Sequence, residues 1–108
     1  MDNPWSGVVQ ITVDEIERPM RLTLGALAEL EATLGEDSLV ALVERFESGG
    51  FSSGDVLALI VAGLRGGGWN VTAQELLSAE IQGGLMAAAQ SAATLLGRTF
   101  LLPEERRA

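Results

Sequence analysis

The sequence predicts an α+β fold, with an N-terminal two-stranded antiparallel β-hairpin followed by a four- to five-helix bundle. Two observations carry that reading. The apolar period is two residues through Met20, Leu22 and Leu24, then changes at Thr23 to the three- and four-residue spacing of Leu27, Leu30 and Leu34. Further on, two segments share one plan for starting a helix: a hydroxyl residue, an acid three positions later, and an apolar pair bracketing them.

In chain order, residues 1–6 form an arm whose one anchor is Trp5. Val9, Ile11 and Val13 alternate with Gln10 and Thr12, which predicts a first strand over residues 8–13. Residues 14–17 lack the Asn-Gly or Asp-Gly signal of a tight hairpin, so a looser reversal is expected there. The second strand is expected over 18–23, with Pro19 confining it to an edge or to its first residues. A lone hairpin is marginal in water, so the apolar face of 7–24 must lie on the helical part, 24–102.

The first helix is capped by the Thr23 hydroxyl and stopped by Gly35. Asp37 or Ser38 caps a second, whose stripe is Leu39, Leu42, Val43 and Phe46 and which Gly49-Gly50 ends. Phe51-Ser52-Ser53-Gly54-Asp55-Val56 opens the third helix, 53–65, apolar on nearly every side and therefore the most buried. Val71-Thr72-Ala73-Gln74-Glu75-Leu76 opens a fourth, expected to run over 73–82 and to bury Leu76, Leu77 and Ile81. The last, about 85–101, carries Ala89, Ala93 and Gly97 as a ridge of small residues that lets another helix approach. Its alanines, Gln90, Ser91 and Arg98 mark it as a core helix rather than a membrane span. Pro103 and the charged tail of 103–108 close what is read as one domain over 1–108.

Composition narrows the chemistry. With 5% aromatic residues among 47% hydrophobic, the core must be built largely from Leu, Val and Ala. The absence of Cys and His excludes disulfides, thiolate or histidine metal sites and Ser-His-Asp triads. Seven Arg against 15 acids give a net charge of −8, and the arginines are scattered, which argues against binding nucleic acid. The N-terminus has no basic region followed by an apolar one, so a cytoplasmic protein is expected.

Gly66-Gly67-Gly68-Trp69 has neither the Lys of a phosphate loop nor the preceding strand of a dinucleotide fingerprint, and reads as a helix stop and connector. The acidic groups Asp14-Glu15-Glu17, Glu29-Glu31 and Glu36-Asp37 lack the spacing of a calcium loop and read as solvated faces. No catalytic, cofactor or metal residues are assigned. Trp5, Trp69, Met86, Phe100, Leu101 and Leu102 lie near ends and loops, and together form the candidate partner-binding set.

The segments Arg21-Leu22-Thr23-Leu24-Gly25-Ala26-Leu27-Ala28-Glu29-Leu30-Glu31, Ser38-Leu39-Val40-Ala41-Leu42 and Gly63-Leu64-Arg65-Gly66-Gly67-Gly68-Trp69 resemble the small tail protein of α-proteobacterial gene transfer agents. The resemblance runs from about residue 5 to 100. That family is grouped with phage tail assembly chaperones and is sometimes labelled a tail tube protein. The resemblance implies a non-enzymatic role in building a phage-like tail, first as an assembly chaperone binding the tape measure protein, with a structural tail tube-associated subunit as the alternative. It implies tail proteins as partners and a bacterial cytoplasm or a phage-like particle as the setting.

Overall fold

A computed structural model describes residues 8–35 and 39–100. The expected arm at 1–6, the cap at Asp37 or Ser38 and the tail at 103–108 lie outside the described residues. Strands β1 (Val9–Val13) and β2 (Ile16–Met20) are followed by helices α1 (Leu24–Leu34), α2 (Leu39–Ser48), α3 (Ser53–Gly66), α4 (Ala73–Leu77) and α5 (Gly84–Phe100). The strands pair antiparallel, with Val9 opposite Met20, Ile11 opposite Arg18 and Val13 opposite Ile16.

The turn between them is tighter than the sequence predicts. Only Asp14 and Glu15 lie between the strands, with φ of 50° and 69°, the left-handed pair that type I′ hairpin turns require. Asp tolerates that region better than most residues, and here it is anchored from outside. The Asp14 amide donates to the Glu80 carbonyl at 2.7 Å, and Asp14 Oδ1 accepts from the Glu80 amide at 2.9 Å. The short turn moves β2 to Ile16–Met20 from the expected 18–23. Leu22 stays buried, but Leu24, expected on the same apolar face, is 86% exposed as the first residue of α1.

Parts of both edges of the hairpin are taken by other segments of this chain. Along β1, Gln82 donates to the Thr12 carbonyl at 3.0 Å and Ile81 bridges Val13, while Arg98 Nη1 donates to the Val8 carbonyl. Those outward bonds fall on even-numbered residues, so the ladder to β2 uses the odd ones, and Pro19 opposite Gln10 withholds no bond from it. On the far side, the Arg21 amide just beyond β2 donates to the Gly63 carbonyl of α3 at 2.9 Å.

This capture corrects the predicted fourth helix. α4 stops at Leu77 instead of Gln82, because residues 80–82 are drawn into extended pairing with β1. Leu76 is buried as expected, but Ile81 is only half-buried and Leu77 is 70% exposed. The two helix starts are as predicted. Ser52 and Asp55 form a reciprocal capping box at α3, and Thr72 and Glu75 form one at α4. Thr23 caps α1 through its hydroxyl, and Gly35 closes that helix with φ of 71°.

α3 is the hub, packed by α1, β2, α4 and α5. Leu59, Ile60 and Leu64 on α3 are fully buried together with Met20, Leu30, Leu42 and Leu95. The close approach to α5 rests on Gly63, where a Cβ would stand 2.7 Å from Leu95 Cδ2 and 3.0 Å from Met20 Cβ. On α5 the buried small residues are Ala88 and Ala92; of the expected ridge, Ala89 and Gly97 are half-buried and Ala93 is exposed. The prediction missed that ridge by one residue, a rotation of about 100° on a helix. Among the described residues, no helix is long and apolar enough to cross a membrane.

Candidate functional site: an apolar groove beside the central helix

An open groove of about 710 Å³ runs between the N-terminal half of α3, helix α4, the 79–83 segment and the first turns of α5. Its floor is Val56, Leu57 and Ile60 of α3, with Leu76 and Ala88; its rim carries Leu77, Ile81 and Leu85. Local sequence explains each wall. The Ser52–Asp55 box fixes where α3 begins, and the Thr72–Glu75 box fixes α4. Gly83 and Gly84 have φ of 87° and 72°, a left-handed pair that turns the chain from its bridge with β1 into α5. A Cβ on Gly83 would also meet Ala87 Cβ at 2.6 Å. The early end of α4 and this abrupt turn leave Leu77 and Leu85, both in the lining, 70% and 64% exposed.

Among the described residues, Glu15 and Glu80 are the charged members of the lining. The stronger ion pairs lie elsewhere. Arg45 grips Asp55 with two bonds, Nε to Oδ2 at 2.8 Å and Nη2 to Oδ1 at 3.0 Å, tying α2 to the cap of α3. The Arg45 hydrogen bond, aided by the Ser52 amide, outweighs burial and holds the Asp55 carboxyl below its ordinary pKa. On the surface, Arg65 Nε donates to Glu29 Oε1 at 2.9 Å, which lowers the glutamate pKa and raises that of the arginine. Among the described residues, no three carboxylates converge to hold a metal ion. The groove is equipped to bury apolar side chains.

The predicted partner-binding residues are dispersed. Met86, 73% exposed, stands beside Leu85 at the start of α5. Phe100, 42% exposed, ends the same helix about 21 Å further along its axis. Trp69 is half-buried past the opposite end of α3, with the Arg18 guanidinium 4.0 Å above its ring. Trp5, Leu101 and Leu102 lie outside the described residues. Sequence reasoning missed Leu77 and Leu85. The available signal was that Gly83-Gly84 makes a sharp entry to α5, which leaves the next residue short of neighbours on the preceding turn.

The glycine run before Trp69 is a connector, as predicted, and the structure supplies its reason. A Cβ on Gly66 would lie 1.9 Å from the Arg21 carbonyl oxygen, and one on Gly67 would lie 2.1 Å from that of Pro19. The hairpin backbone rests directly on the last turn of α3, and only glycine leaves it room.

A family model described as "phage tail tube protein, GTA-gp10" matches residues 6–101. The chain belongs to this family. No curated protein and no solved structure matches it. The match meets the expectation drawn from the resemblance, at the level of a phage-like tail protein of the gene transfer agent type. A tail tube family is structural rather than enzymatic, and the groove offers this GTA-gp10 family member an apolar contact surface.

Proposed function

We propose that this protein acts in the phage-like tail by binding other tail proteins through its helical part, as a tail tube-associated component. The family description supports the tube assignment. The state of the hairpin edges supports a helical mode of contact. β1 is partly covered by residues 80–82 and by Arg98, and the backbone just beyond β2 by α3, which leaves less edge for joining a larger sheet between subunits. Contact falls instead to exposed apolar side chains on the helices, above all those around the groove.

A second reading is an assembly chaperone that keeps the tape measure protein soluble in the cytoplasm until the tube closes around it. The helix-dominated fold and the open apolar groove support it. Quantitative mass spectrometry of purified particles, with the soluble fraction of the tape measure co-expressed with and without this chain, separates the two. Stoichiometric retention in finished particles, with a tape measure equally soluble alone, is expected for the tube-associated component. Loss from finished particles, with a client soluble only in its presence, replaces that reading by the chaperone.

A further inference from the structure

We infer that the groove between α3 and α5 is the docking site for one basic, amphipathic α-helix of another protein. This deepens the proposed function and names the chemistry of the partner that binding would require. Four observations converge on that occupant. The groove is apolar along its floor, and two leucines of its lining, Leu77 and Leu85, are largely exposed. Its volume of about 710 Å³ suits the three or four large side chains that a helix presents at i, i+3, i+4 and i+7. An added strand is disfavoured, because Glu80 and Gln82 spend backbone groups on β1 and the Ile81 carbonyl accepts from the Gly84 amide at 2.9 Å. Among the described residues, the charge of the lining is acidic, from Glu15 and Glu80, in a chain of net charge −8.

The charge decides between occupants. A second copy of this chain would bring another −8 to an acidic rim and be repelled. A helix with Lys or Arg flanking its apolar stripe places cations beside Glu15 and Glu80 while its stripe fills the space between Leu77 and Leu85.

The test uses the full chain and two synthetic helical peptides with the same leucine stripe, one with Lys and Arg on its polar face, the other with Glu. The basic peptide should bind and shift the amide resonances of residues 56–60 and 76–88, with the acidic peptide at least about tenfold weaker. The double variant Leu77→Ser/Leu85→Ser, at exposed positions that leave the fold intact, should weaken the basic peptide by about tenfold or more. Leu24→Ser, on exposed α1 away from the groove, should leave its binding unchanged. Equal binding of both peptides, shifts confined to other elements, or a protein that self-associates through Leu77 and Leu85 would overturn the inference. A groove that binds the basic peptide in a protein that proves to have no tail partner would leave the inference standing and remove the proposed function instead.

Discussion

Asp14 and Glu80, 66 residues apart in the chain, hold each other by two hydrogen bonds. The Asp14 amide donates to the Glu80 carbonyl at 2.7 Å, and the Glu80 amide donates back to Asp14 Oδ1 at 2.9 Å. This pair stabilises a left-handed hairpin turn and also ends α4 early, and the early end opens the groove. Asp14→Ala loses the side-chain acceptor and places a Cβ residue less tolerant of φ near 50° in the turn, so it should cost about 1–3 kcal/mol in urea denaturation. Asp14→Asn keeps both the acceptor and the tolerance and should cost less than about 1 kcal/mol. Equal losses would mean that the side-chain bond contributes nothing.

Two glycines in α3 predict opposite signs. At Gly66 a Cβ would meet the Arg21 carbonyl oxygen at 1.9 Å, a backbone atom that cannot step aside without lifting the hairpin. Gly66→Ala should therefore destabilise by more than about 3 kcal/mol, or prevent folding. At Gly54, in the first turn, the nearest atom is Ser52 Oγ at 3.6 Å, an ordinary contact. Gly54→Ala should be neutral or stabilise by up to about 1 kcal/mol, through better helix propensity. A Gly66→Ala protein with the parent's melting temperature would show that the hairpin does not rest on the end of α3.

The contrast between those glycines also shows what was legible in the sequence. Ser52 with Asp55 and Thr72 with Glu75 announced two helix starts, because capping chemistry is local and spans only three residues. The hairpin and the central place of α3 were legible for the same reason, through apolar periods of two and near-continuous apolarity. The end of α4 was not. It depends on the β1 edge capturing residues 80–82, and that edge lies more than sixty positions away in the chain. The groove was lost with it, since Leu77 reads as a core leucine while the helix is assumed to continue. The aromatic character of Trp69 is visible in sequence, whereas the Arg18 guanidinium that covers its ring is not. The Arg45 partner of Asp55 was missed because an acid in a capping box already looks satisfied.

That arginine gives the protein an acid-sensitive joint. The folded-state pKa of Asp55 is depressed, chiefly by the Arg45 hydrogen bond, so its stabilising contribution is complete above its unfolded value, near pH 4. It is lost as pH falls through the lower folded value. Arg45→Met should cost about 1–3 kcal/mol at neutral pH and reduce the loss of stability below pH 4, because the main cause of the depressed pKa is gone. Urea denaturation across pH 2–7, with the Asp55 carboxyl followed by NMR, measures both effects. An unchanged Asp55 titration in the variant would assign the shift to the Ser52 cap instead.

The final prediction concerns how the protein meets its tail partner, and it follows from the separation of charge and apolar surface. The net charge of −8 acts at a distance and is screened by salt over a Debye length of about 10 Å at 0.1 M. The contacts proposed to hold the complex are apolar ones around Leu77 and Leu85, which ordinary salt concentrations weaken little. For a basic helical partner, the association rate should therefore fall by about tenfold or more between 20 and 300 mM salt, while dissociation changes less than about threefold. Leu85→Ser should do the reverse, speeding dissociation while leaving association and its salt dependence nearly unchanged. Stopped-flow mixing with the partner protein at several salt concentrations measures both rates. A dissociation rate that climbs with salt as steeply as association falls would mean that ion pairs, not the leucines of the groove, hold the bound helix.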